Sequence, residues 1–116
     1  MGHCRVKGAQ TNADVVVPAL IHALSDPDPA VRGMASTQLD GPVYCTKSAD
    51  IIPAIIPLLS DDDSNVRKLA SIRLGIFGAA ATNALPALSH LSIEDVDPNV
   101  RDAASNAVAQ IRAKAQ

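Results

Sequence analysis

Apolar residues recur at four-residue steps in three separate stretches of the chain. The three series are Val31, Ala35 and Leu39; Val66, Ala70 and Leu74; and Val100, Ala104 and Val108. Residues four apart lie on one face of an α-helix, so each series predicts a helix with one buried face. The small alanine in the middle of each series allows neighbouring helices to approach closely.

The same polar turn precedes each of these helices. It reads DPDPAVR at 26–32, DDDSNVR at 61–67 and DVDPNVR at 95–101. The aspartate at the third position of each turn is predicted to cap the helix, because its carboxylate can accept a backbone N–H at the helix start; these residues are Asp28, Asp63 and Asp97. Pro29 and Pro98 follow at the first helical position, where proline is favoured. Three equivalent helices therefore begin at three equivalent corners.

A further helix is predicted before each turn. These first helices cover roughly 15–25, 51–60 and 84–93. Pro18, Pro53 and Pro86 should lie in or near their first turns, where a missing N–H costs least. Pro57 lies inside the second of them and should kink it. When Pro18 is placed over Pro53 the following positions align without a gap, which predicts an all-α, right-handed α-solenoid of three helical-hairpin repeats.

The repeats divide the chain into four segments. These are a partial leader at 1–13 and repeats at 14–49, 50–83 and 84–116. The leader ends in GAQTNA at 8–13, which is similar to GAAATNA at 78–84 and suggests the tail of an incomplete repeat; the alternative is a chance match of small residues. The first repeat carries a longer loop at 40–50, which is either a contact site or a plain insertion.

These features together resemble HEAT repeats. The residues that carry the resemblance are the Pro-Ala start of each first helix, the D-x-D-x-x-V-R turn and the alanine-bearing second helix, over 14–112. The closest kind is the short bacterial HEAT-like repeat of the phycobilin-lyase type. The resemblance implies a structural turn ladder of hydrogen bonds within and between repeats, made by Asp28, Arg32, Asp63, Arg67, Asp97 and Arg101. Three arginines that grip an acidic ligand are the alternative.

Composition narrows the range of partners. The net charge is −2, the chain has no Trp, and the apolar content is mainly aliphatic. A nucleic-acid or anionic-membrane binder would normally carry a basic excess, so neither partner is expected. The start of the chain lacks the apolar region of a secretory signal, which favours a cytoplasmic protein. Cys4 and Cys45 are expected as free thiols in a reducing cytoplasm, with a disulfide left open.

Candidate catalytic and metal sites find little support. His22 and His90 occupy equivalent places a repeat apart, too distant to share a metal ion. His3 and Cys4 are adjacent but lack the spacing of a built metal site. Glu94 is the only glutamate, so catalysis by paired glutamates is unavailable. We therefore expect no catalytic residues, no cofactor and no metal, and the chain is predicted not to be an enzyme.

A binding surface is the remaining prediction. The resemblance implies that the second helices line a concave face, and the helix period selects its solvent positions. The contact candidates there are Ser36, Thr37, Lys68, Ser71, Ile72, Asp102, Ser105 and Asn106, with Ile72 the first choice because it is apolar. An N-terminal association face is expected at Val15, Val16 and Val17, since no polar cap precedes these valines.

The function predicted from the sequence is protein–protein interaction or scaffolding without catalysis. Binding would use the concave face or the terminal repeat faces, with an unidentified protein partner and a possible homodimer. Two alternatives stay open: an accessory or remnant of a phycobilin (tetrapyrrole) lyase system, and a structural fragment of a longer repeat array.

Overall fold

In the computed structural model, residues 10–39 and 47–115 are described. They contain six α-helices: α1 (Gln10–Ala23), α2 (Pro29–Gln38), α3 (Ser48–Ile55), α4 (Ser64–Phe77), α5 (Leu85–Glu94) and α6 (Pro98–Ala115). Two 3₁₀ segments, Ile56–Ser60 and Gly78–Ala84, lie between α3 and α4 and between α4 and α5. No strand occurs in these two ranges. The predicted all-α solenoid of helical hairpins is confirmed, with α1–α2, α3–α4 and α5–α6 as the hairpins.

The second helix of each hairpin begins as the turn sequence predicts. Oδ1 of Asp28 accepts the backbone N–H of Ala30 at 2.9 Å. Oδ1 of Asp63 accepts the N–H of Asn65 at 2.8 Å. Oδ1 of Asp97 accepts the N–H two residues on, also at 2.8 Å. Each carboxylate satisfies a backbone donor that has no partner within the helix, which fixes where α2, α4 and α6 begin.

The first helices differ from the prediction at their prolines. Only Pro86 lies in the first turn of its helix. Pro18 and Pro53 are interior, because α1 begins earlier than expected, at Gln10, and α3 at Ser48. Pro57 does not kink a continuous helix: α3 ends at Ile55 and the chain continues as a 3₁₀ segment. A proline two residues past the α-helix end cannot supply the next i→i−4 bond, and the tighter 3₁₀ turn accommodates it.

The second helices form a layer in which α4 packs between α2 and α6. The core is aliphatic, and Leu39, Ile55, Leu74, Leu88 and Ile111 are fully buried within it. The α4–α6 packing is close: a Cβ on Gly75 would lie 2.9 Å from the Ala107 Cα. Only glycine allows this approach, since real Cβ atoms essentially never lie so near another backbone atom. The regular layer places the exposed side chains of α4 and α6 beside each other.

Candidate functional site

A groove of about 710 Å³ lies between α4 and α6 and is called the α4–α6 groove here. Its apolar part includes Ile72 and Ile76, whose side chains are 40% and 41% exposed. The full lining is Lys68, Ile72, Ile76, Asn99, Asp102, Ala103, Asn106, Ala109 and Gln110. The volume falls within the range of about 300–1,000 Å³ that is usual for ligand sites.

Helix periodicity explains why these side chains share one surface. Ile72 and Ile76 are four residues apart on α4, so they lie one turn apart on the same face. Asp102, Asn106 and Gln110 follow the same spacing on α6. A polar stripe on one helix therefore faces an apolar pair on the other. The lining contains one cation and one anion, Lys68 and Asp102, so its formal charge cancels.

Four of the eight predicted contact candidates line this groove: Lys68, Ile72, Asp102 and Asn106. Thr37 and Ser105 lie outside its lining. The Thr37 hydroxyl donates to the Met34 carbonyl at 2.8 Å, within its own helix.

The expected exposure of Ser36 and Ser71 was wrong, because both side chains are 0% exposed. The Ser36 hydroxyl donates to the Gly33 carbonyl at 2.8 Å, and the Ser71 hydroxyl to the Arg67 carbonyl at 2.9 Å. Ser71 lies one turn before Gly75, which approaches α6, and Ser36 lies near Gly33, which approaches Leu69 of α4. These serines are small residues at helix–helix contacts, so they cannot serve as surface contacts.

Sequence reasoning missed five lining residues: Ile76, Asn99, Ala103, Ala109 and Gln110. The signal for three of them was present. Ile76 is four residues after Ile72, and Gln110 is four after Asn106, so extending the helix period by one turn finds both. Asn99 lies three residues before Asp102. The alanines carry no such signal, because small apolar residues are equally common in helix cores.

Arginines of the turns link successive repeats. Arg32 donates from Nε to Asp61 Oδ2 at 2.7 Å and from Nη2 to Oδ1 at 2.8 Å. Arg67 donates from Nε to Asp95 Oδ2 at 2.7 Å and from Nη2 to Oδ1 at 3.2 Å. Both pairs use the planar guanidinium to hold both carboxylate oxygens, a strong and directional arrangement.

The carboxylates in this turn ladder are not the ones expected. Asp28, Asp63 and Asp97 cap their own helices, and no side-chain pair with Arg32, Arg67 or Arg101 involves them in the described ranges. The acceptors are Asp61 and Asp95, the first aspartates of the following turns. Each arginine also donates Nη1 to the carbonyl of its own turn's first aspartate, at 2.7–2.8 Å. The guanidinium groups of Arg32 and Arg67 thus each join two turns.

The ion pairs change the acidity of the aspartates. Burial disfavours the charged carboxylates and would raise the pKa of Asp61 and of Asp95. Hydrogen bonds from Arg32 and Arg67, with those from the Asp63 and Asp97 amides, outweigh burial, so both pKa values lie below their ordinary value. The hydrogen bonds to Asp61 and Asp95 raise the pKa values of Arg32 and Arg67 above their ordinary value. All four groups are charged at neutral pH.

The predicted N-terminal association face is only partly exposed. Val15 is 70% exposed and Val16 is half-buried. Val17 is 1% exposed and belongs to the core, so its place on an association face was wrong. Three consecutive residues span about 200° of a helix, which is why they cannot all face outwards.

His22 and His90 are exposed on α1 and α5. Among residues 10–39 and 47–115, no group of three His, Cys, Asp or Glu side chains is placed to hold a metal ion. His3, Cys4 and Cys45 lie outside the described residues. None of the helices described is both long and apolar enough to cross a membrane.

The stacked hairpins, capped turns and between-repeat ion pairs define an α-solenoid repeat protein. A family model described as HEAT repeats matches residues 17–109, which is most of the chain. The chain therefore belongs to the HEAT-repeat family, whose members generally act as protein-interaction and scaffold modules. No match was found among curated proteins.

Proposed function

We propose that this chain is a non-enzymatic scaffold module that binds a segment of a partner protein in the α4–α6 groove. The observation that carries the proposal is the exposed pair Ile72 and Ile76 beside a polar stripe on α6. A rigid helix holds these apolar side chains partly in water, so a partner that covers them lowers the free energy of the system. The terminal repeat faces are a second place where this family could bind.

The groove's chemistry indicates what kind of segment it would accept. Its charges cancel, which disfavours a strongly acidic or strongly basic partner. Asn99, Asn106 and Gln110 each offer a hydrogen-bond donor and an acceptor, which suits the backbone or an uncharged polar side chain of a peptide. The expected ligand is an uncharged segment with one or two aliphatic or aromatic anchors above Ile72 and Ile76.

Selection from a library of random short peptides tests the proposal. Peptides enriched on the wild type should share an apolar anchor. Their affinity for Ile72→Asp should fall more than tenfold, which is about 1.4 kcal/mol, because a carboxylate would be desolvated on binding. Val15→Asp is the matched control, since Val15 is exposed but far from the groove lining in sequence. Enriched peptides that bind Ile72→Asp as tightly as wild type would overturn the proposal.

A further inference from the structure

Within the described residues, the arginine of the third repeat has donor atoms that the turn ladder does not use. Nη1 of Arg101 donates to the Asp95 carbonyl at 2.7 Å, as the equivalent atoms of Arg32 and Arg67 do in their own turns. In the first two repeats, Nε and Nη2 hold an aspartate of the next repeat. Within the described ranges no side chain accepts a bond from these two atoms of Arg101. The guanidinium is thus anchored on one edge and open on the other.

The first repeat has the matching acceptor, a carboxylate that no arginine of the described residues contacts. Oδ1 of Asp26 accepts the N–H of Asp28 at 2.9 Å, and the same bond holds Asp61 and Asp95 at 2.9 Å. Asp61 and Asp95 also accept hydrogen bonds from an arginine of the preceding repeat. Asp26 accepts no arginine hydrogen bond from the described residues. Its carboxylate is therefore positioned like the two that are paired.

A second, independent feature marks the same side of the third repeat as open. Each turn arginine is followed four residues later by a serine, so the two lie on one side of the second helix. Ser36 and Ser71 are 0% exposed, whereas Ser105 is exposed. The serine is small so that a neighbouring helix can pack against it, and α6 has no such neighbour on that side among the helices described.

Two exposed apolar side chains lie in or beside the third turn. Ile93 and Val96 are 73% and 86% exposed, the highest values among the large hydrophobic side chains of the described residues. Val96 stands inside the turn whose first residue, Asp95, holds Arg101. Ile93 stands two residues before Asp95, where the first two repeats carry the buried Leu24 and Leu59.

We infer that a second copy of this chain stacks head to tail on the third repeat, with its Asp26 paired to Arg101. The charges are complementary, and both groups are preset in the geometry of the existing rungs. The contact uses different surfaces on the two copies, so it is heterologous and can be extended to longer arrays. The contact does not involve the α4–α6 groove. A result for or against self-association therefore leaves the proposed peptide binding unaffected.

Two single variants test the inference by mass in solution. Asp26→Asn removes the acceptor's charge and Arg101→Met removes the donor, so each alone should stay at 12.0 kDa. A mixture still contains one intact Arg101 and one intact Asp26, and should form a 1:1 complex of twice that mass. Wild type should show a mass that rises with concentration and falls with added salt, since the pair is partly exposed.

Several outcomes would overturn the inference. Wild type that remains at 12.0 kDa up to about 1 mM, where even a weak contact of about −4 kcal/mol is half formed, would exclude the contact. If the single variants associate as strongly as wild type, the association must use another surface, such as that around the exposed Val15. Ile72→Asp is the control for the groove and should associate like wild type. Circular dichroism confirms that each variant is folded.

Discussion

Asp95→Asn is the sharpest test of how the repeats are held together. Asparagine is the same size and keeps an oxygen that can accept the Asp97 N–H, so the turn itself should survive. The loss is the charge that faces Arg67, whose Nε lies 2.7 Å from Asp95 Oδ2. The two side chains are only 14% and 4% exposed, so the arginine would be left partly buried without its counter-charge.

The size of the effect follows from that burial. Exposed ion pairs contribute about 0–1 kcal/mol, while breaking a fully buried pair costs about 3–5 kcal/mol. A pair that is mostly buried, joined by two hydrogen bonds, lies between these limits. We expect Asp95→Asn to lower the free energy of unfolding by about 2 kcal/mol, and the melting temperature by about 8 °C.

Asp26→Asn is the matched control, because Asp26 makes the same bond to its turn but pairs with no arginine in the described ranges. Its cost should stay within about 0.5 kcal/mol. Urea unfolding of both variants and wild type at low protein concentration measures the difference, which isolates the between-repeat pair. Equal costs for the two variants would refute the reasoning, since the arginine contact would then contribute nothing.

The same experiment has a pH dependence of known sign. The pKa of Asp95 is lower in the folded than in the unfolded chain. Its stabilising contribution is therefore complete above the unfolded pKa of about 4, and is lost as pH falls through the folded value. The difference in free energy of unfolding between wild type and Asp95→Asn should be constant near neutral pH and should shrink in acid. A gap that stays unchanged in acid would contradict the assignment of the charge to Asp95.

Two further predictions concern the packing of the second helices. Gly75→Ala should cost about 1–2 kcal/mol in urea unfolding, because its Cβ would meet the Ala107 backbone. Gly33→Ala should be near neutral, because the nearest atom to its Cβ is the flexible end of Leu69 and the next, on Val66, is at ordinary contact distance. Equal costs would show that backbone approach is not limiting. Ser71→Leu should destabilise by about 2 kcal/mol or more through overpacking, whereas Ser71→Ala should change stability by less than about 0.5 kcal/mol. A well-tolerated leucine at this position would contradict close packing against α6.

The helix starts could be predicted from the sequence because their causes are local. An aspartate that caps its own helix needs only residues two or three positions away, and that spacing is visible in DPDPAVR. The partner of Arg32 was not predictable in the same way. The following turn has three aspartates of the same charge, Asp61 to Asp63, and only the packing of hairpins decides that Asp61 faces Arg32.

The candidate site was predictable only in part, for a related reason. A helix period tells which residues share a face, but a helix inside a solenoid has neighbours on several sides. Ser71 was placed on the exposed face, although α4 packs α6 there. Ile72, the next residue, lies at the rim of that contact and remains 40% exposed. Rotation by a single residue separates a packing position from a binding position, and pattern alone does not resolve it.

The double use of the middle turn, 61–67, has a consequence for how such an array can change length. This turn carries one aspartate, Asp61, that accepts from the repeat before it and one arginine, Arg67, that donates to the repeat after it. A duplicated hairpin therefore carries both the aspartate and the arginine that its turn contacts require. A copy inserted between two existing repeats restores every pair without any compensating substitution, so gene duplication alone can lengthen the array while its turn contacts stay satisfied.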